Sequence, residues 1–140
     1  MTEAIWRGQF RNDEVNRLHA EAFSEPLGAH DWWGQVHEHS LGWVCARDEQ
    51  NLMGFVNVAW DGALHAFLLD TKVAPAVGRR GLGTALVVVA AQEARRKGCH
   101  FLHVDFGDHL RGFYFDACGF RPTNAGLIHL PSLGIGPAVS

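Results

Sequence analysis

Between Val77 and Thr84 the chain sets two arginines against a group of glycines, Gly78-Arg79-Arg80-Gly81-Leu82-Gly83 and then Thr84. Such a loop suits an anion. Apolar residues at helical spacing follow it, so it would end on a helix amino terminus, where unpaired N–H groups and the peptide dipoles attract negative charge. Gly81 and Gly83 carry no Cβ to keep a phosphate oxygen away from the backbone. Arg79 and Arg80 offer charge-assisted hydrogen bonds worth about 1.5–3 kcal/mol each when desolvated. The plain alternative is a glycine-rich connection with two solvated arginines. Two other phosphate loops do not fit: no Lys followed by Ser or Thr comes after the second glycine, as in a Walker loop, and no G-x-G-x-x-G is present. Nucleotide hydrolysis and hydride transfer are therefore disfavoured.

Other chemistry-bearing residues form weaker patterns. Nine histidines include His37-Glu38-His39, His100, His103 and His109. Histidines two apart on a helix point to different sides, and no Cys or carboxylate set completes four ligands, so no metal is expected. Cys45, Cys99 and Cys118 form no C-x-x-C pair and read as reduced and buried. Trp32, Trp33 and Trp43 suit either a pocket wall or the core.

The bulk properties bound what these residues can serve. The 140 residues fit one domain spanning the whole chain, and 47% are apolar, enough for a single core. A net charge of -3 provides no broad basic field, so no nucleic-acid partner is expected. The longest apolar run, from Ala85 to Ala91, is too short to span a bilayer, and nothing near the start reads as a leader; a soluble, cytoplasmic protein with no membrane partner is expected.

The elements that position the loop follow from periodicity. Ala4 to Phe10 reads as an edge strand, and Asn12 and Asp13 offer caps to a helix with Val15, Leu18, Ala22 and Phe23 on one face. Pro26 and Gly28 stop it, and a short helix spans His30 to His39. Leu41 to Arg47, Leu52 to Trp60 and Ala63 to Val73 read as an antiparallel meander. The loop then leads into a helix from Leu82 to Lys97, with Leu82, Leu86, Val89, Ala90 and Ala94 inward and Gly98 past its end. A strand from His100 to Asp105 follows, then a short helix capped by Asp108 and closing near Cys118-Gly119. Phe120 to Leu130 supplies one or two final strands, and residues 131–140 form a loose tail. The fold class is α/β with a mixed sheet.

The stretch Leu69-Asp70-Thr71-Lys72-Val73-Ala74-Pro75, continuing through the glycine loop to Leu86, resembles the acetyl-CoA motif of the GNAT superfamily of N-acetyltransferases. Asp108-His109-Leu110-Arg111-Gly112-Phe113-Tyr114-Phe115-Asp116-Ala117-Cys118-Gly119-Phe120 resembles that family's second motif. The resemblance covers about residues 4 to 130 and is strongest over 69 to 120. It implies a meander followed by strand, loop, helix and strand, with the strands ending at Val73 and Asp105 splayed apart. It also implies that the pantetheine arm of acetyl-CoA adds like a strand to the main chain around Thr71 and Val73. Amides from Gly78, Arg79, Arg80, Gly81, Leu82, Gly83 and Thr84 would hold the pyrophosphate, and Asp108 and Phe115 would border the cofactor. The thioester carbonyl would lie near the N–H of Val73.

Two positions depart from the family pattern. Gly78 stands where Arg or Gln usually begins the loop. Phe115 stands where the family usually has a Tyr that protonates the leaving thiolate, with Tyr114 one residue earlier, about 100° away on an α-helix. Either the helix is rewound so that Tyr114 serves, or solvent or substrate protonates the thiolate. Neutralising an alkylammonium acceptor at pH 7 costs roughly 4–5 kcal/mol, so a base is expected, Asp70 first and Asp105 second. The implied activity is direct transfer of acetyl from acetyl-CoA to a primary amine of a small molecule or peptide, without metal. The alternative is a CoA-binding or regulatory module with little turnover. The resemblance is compatible with a homodimer.

Overall fold

A computed structural model describes residues 2–75 and 81–134. Among them a single sheet runs in the order β1-β2-β3-β4-β5. Its strands are β1 (Thr2–Trp6), β2 (Ser40–Asp48), β3 (Asn51–Trp60), β4 (His65–Val73) and β5 (Phe101–Val104). The first four pair antiparallel in sequence order and β5 pairs parallel to β4. A parallel neighbour requires a crossover, and helix α3 (Leu82–Arg96) is that crossover.

The sheet is covered on both faces, which is why β2 and β3 are buried along most of their length instead of alternating. A Cβ on Gly54 would lie 3.0 Å from Leu86 and 3.4 Å from Leu82, so this strand face looks at α3. The next residue, Phe55, points the other way. Its ring meets those of Phe10 at 5.3 Å and Trp32 at 6.1 Å, beneath helices α1 (Asn12–Phe23) and α2 (Trp32–His39). Leu82, Leu86, Val87, Ala90 and Ala94 form the buried stripe of α3. Val87 replaces Val89, which is only half-buried.

The α1–α2 connection is held by two asparagines. Asn12 does not cap α1; the extended Arg11 takes that position. Asn12 instead accepts from the Trp33 N–H at 2.8 Å and donates to Asp31 at 2.9 Å. Asn16, which is buried, donates to the His30 carbonyl and accepts from the Trp32 indole at 3.0 Å. Asp31 accepts from the Gly34 N–H, and a Cβ on Gly34 would collide with that carboxylate. The glycine that weakens α2 as a helix former thus permits its cap.

Some sequence expectations are corrected. Residues 120–130 form no strand; they run irregularly and are almost entirely exposed up to the short turn at Leu130–Ser132. Strand propensity without a paired neighbour does not make a strand, because each backbone N–H and C=O there has water as its alternative partner. β1 ends at Trp6 instead of Phe10, where Arg7 turns into a left-handed conformation. Gly107, not Asp108, precedes the helical turn at Asp108–Leu110. Trp32 and Trp43 are core residues, 7% and 2% exposed, and Cys118 is only half-buried. No helix among the described residues is long and apolar enough to cross a membrane.

Candidate active site

β4 carries an irregularity that composition does not reveal. Phe55 of β3 pairs with Lys72 and Asn57 with Leu69, so Val56 alone faces two residues, Asp70 and Thr71. This is a bulge, and Asp70 takes the left-handed conformation (φ 57°) that it requires. Asp tolerates that region better than most side chains. Its carboxylate accepts a long hydrogen bond, 3.4 Å, from the amide of buried Asn57, whose own oxygen accepts from the Ser40 hydroxyl.

Beyond the bulge the strands part. β5 pairs with β4 only from His65–Phe101 to Leu68–Val104, whereas β4 continues to Val73. The Ala74 N–H is donated to the Met53 carbonyl on the β3 side at 2.8 Å. Successive strand amides point to opposite sides, so the Val73 N–H faces the side that β5 has left. A cavity of about 600 Å³ opens between the diverging strands, lined among others by Leu69, Asp105, Phe106, Arg111 and Phe115.

The start of α3 borders the same region. Gly81 precedes the helix at φ 74°, a left-handed conformation that a Cβ would strain, and among the described residues nothing apart from its chain neighbours lies within 4 Å of where that Cβ would stand. Leu82 and Gly83 are buried in the first turn, which contains no acidic residue to oppose an anion. The Thr84 hydroxyl is engaged with the Cys118 thiol. Gly83 serves packing as well: a Cβ there would stand 3.0 Å from the Phe113 ring. We expect Gly83→Val to cost about 1–3 kcal/mol in urea unfolding, because the added side chain would press on the Phe113 ring, with Val73 at 3.9 Å beside it. Gly78, Arg79 and Arg80 lie outside the described residues.

The second motif folds as a turn at Asp108–Leu110 and then a π-helical turn, Gly112–Ala117. The wider winding changes the angle between successive side chains, and π-turns are frequent at functional sites. Tyr114 is turned inward at 5% exposure, stacked on Phe106 at 4.6 Å, with its hydroxyl hydrogen-bonded to Thr71 beside the bulge. Burial pushes the phenol above its ordinary value, and the Thr71 bond offsets part of that. The group therefore holds its proton at neutral pH. Phe115 lies edge-on to Phe106 at 5.2 Å, under the Arg111 guanidinium at 5.1 Å, and borders the cavity. Asp108 projects into solvent, 93% exposed.

Phe115 and Asp105 thus line the cavity, while Thr71 and Tyr114 meet beside the bulge that holds Asp70, with Val73 farther along β4. Asp108 lines the cavity too, with an exposed carboxylate 3.9 Å from Arg111. No group of three or more potential metal ligands occurs among the described residues. Sequence reasoning missed Asn57 and Ser40, which hold Asp70, and Lys72, which is buried against Trp32 and Phe55. One sign was available: Lys72 follows an Asp and a Thr within an otherwise apolar strand, an arrangement that interrupts simple alternation.

Comparison with known proteins places this geometry in context. No curated protein matches the sequence. Solved structures do match in fold. An acetyltransferase of the GNAT family from Streptococcus pneumoniae TIGR4 is 22% identical, over 91% of this chain and 96% of that one, with a TM-score of 0.73. The aminoglycoside N-acetyltransferase AAC(6')-Iy in complex with CoA is 18% identical, over 92% and 93%, with a TM-score of 0.72. Glucosamine-6-phosphate N-acetyltransferase from Arabidopsis thaliana is 12% identical, over 90% and 97%, with a TM-score of 0.71. The sequence itself matches the family model described as the acetyltransferase (GNAT) family over residues 4–120. With most of its length matched, this chain belongs to the GNAT acetyltransferase family.

Proposed function

We propose that the protein is an N-acetyltransferase that moves the acetyl group of acetyl-CoA directly to a primary amine of a small molecule or peptide in a ternary complex. The observation that carries this reading is the gap beside β4. The Val73 N–H faces it, and the Tyr114 hydroxyl reaches Thr71 at the same place. Pantetheine amides would pair with the exposed edge of β4 as an added strand, and the α3 amino terminus from Gly81 to Thr84 would take the pyrophosphate. Gly78, Arg79 and Arg80 would complete that loop.

In the reaction the neutral amine lone pair attacks the thioester carbonyl, whose developing oxyanion accepts from the Val73 N–H. The C–S bond then breaks, the thiolate takes the Tyr114 proton as CoA leaves, and the second proton that the nitrogen must lose to become an amide restores the phenol. Asp70 accepts the proton that the ammonium must lose, with Asp105 as the second candidate. The family neighbours that act on aminoglycosides or glucosamine 6-phosphate favour an amine acceptor without identifying this one. Thiol release from acetyl-CoA, measured with a panel of amines, tests the reading. Amine-dependent release supports it. A second reading, a CoA-binding module with little turnover, draws on Phe115 at the family's Tyr position; acetyl-CoA raising Tm with no thiol release from any amine would favour it.

A further inference from the structure

Lys72 is a buried cation for which the acetyl-transfer chemistry above has no use. The residue is 2% exposed, and among the described residues its Nζ has no hydrogen-bond partner. The ammonium lies 3.7 Å from the centre of the Trp32 ring and 5.6 Å from that of Phe55, a cation–π seat beneath α2. Two carboxylates, Asp70 and Glu25, act on it through space. The other titratable groups around the Trp32 ring are His30, at 4.6 Å between ring centres, and His19, at 5.8 Å. His19 Nε2 lies 3.4 Å from Glu25. Burial lowers the Lys72 pKa to about 8, and the two carboxylates offset part of the effect.

A buried amine without a bonded anion opposes folding, so its place beside the bulge calls for a purpose other than stability. Asp70 lies in the bulge and Lys72 directly follows it, and the two interact by charge without a hydrogen bond. Any alkylammonium that approaches Asp70 therefore enters the field of a second cation already sharing that carboxylate. A like charge disfavours the protonated form of a neighbouring amine. We propose that Lys72 is a positioning residue whose buried positive charge, acting with Asp70, lowers the proton affinity of the acceptor amine and so raises the fraction that arrives as a nucleophile. This rests on the acetyl-transfer reading and adds to it the group that sets the acceptor's ionisation.

The test compares wild type, Lys72→Arg and Lys72→Met by the pH profile of kcat/KM for an amine that the wild type acetylates. Lys72→Arg, which keeps the charge, should hold the acid limb near its wild-type position. Lys72→Met should move that limb up by about one pH unit, lowering kcat/KM roughly tenfold at pH 7, with the KM for acetyl-CoA unchanged. Lys72→Met should also raise Tm. The folded-state pKa is depressed, so the penalty that the substitution removes is full below pH 8 and fades as pH rises toward the ordinary value of 10.5. A Tm gain with a pH profile that superimposes on wild type would overturn the proposal and leave Lys72 a structural residue. Wild type that acetylates no amine would instead overturn the transfer reading, and this role with it. Apart from turnover, direct NMR titration of the Lys72 amine should show a lower midpoint in Asp70→Asn; an unchanged midpoint would remove the coupling on which the proposal stands.

Discussion

Replacing Tyr114 with Phe should lower kcat for acetyl transfer by about 100-fold, the lower end of what a positioned general acid contributes. The KM for acetyl-CoA should stay within about twofold, since the ring keeps its stacking on Phe106 and only the hydroxyl is lost. The descending, high-pH limb of the kcat profile, which reports the phenol losing its proton, should disappear. Burial holds that phenol above its ordinary value, so the limb in wild type should lie on the alkaline side of free tyrosine. Losing the bond to Thr71 should cost no more than about 1–2 kcal/mol of stability, and circular dichroism should show an intact fold. Unchanged kcat would mean that CoA leaves without help from this side chain, and would return the choice to water or substrate.

Replacing Arg47 with Met should be the most destabilising of these substitutions, by about 3–5 kcal/mol in urea unfolding. Glu14 of α1 is only 3% exposed, and Arg47 of β2 grips both its oxygens at 2.8 Å. The same carboxylate accepts from the Arg11 N–H at 2.9 Å, and Arg47 also donates to the Gln9 carbonyl at 2.8 Å. Removing the guanidinium strands a buried charge and loosens α1 over the sheet face that carries Phe55. Arg47 lowers the Glu14 pKa below its ordinary 4.5, with the Arg11 bond adding to the effect. The pair's contribution is therefore present above pH 4.5 and is lost as pH falls through the lower folded value. Wild type should lose stability in acid over that window more steeply than Arg47→Met; equal slopes would show that the pair is not the source.

Much of the molecule was legible in order of residues. The meander from Leu41 to Val73, the helix at Leu82 and the strand at Phe101 were readable because each is a local pattern of apolar spacing closed by turn residues. Gly81 was readable as a special position because it lacks a Cβ in a loop suited to an anion; its left-handed conformation before the helix came from the fold. Ends were less legible. Asn12 has a capping residue's chemistry, but its side chain is spent on α2, nineteen and twenty-one positions away. The segment after Phe120 has strand-forming residues, yet strand formation needs a neighbour that sequence periodicity cannot supply.

The sequence by itself determined the type of fold, the glycine loop and the family, since these depend on spacing within short stretches and on motifs read in line. Only the tertiary structure decided how the site is arranged. The bulge at Asp70 depends on how β4 registers against β3, and the gap at Val73 on where β5 stops following β4. The inward turn of Tyr114 goes with a π-helical winding, which rotates each residue by less than an α-helix does. Lys72, an ordinary surface residue by composition, became a buried cation because its neighbours in space, Trp32 and Phe55, come from other elements. Burial and charge at a site are sums over residues distant in the chain, and only the folded arrangement brings those residues together.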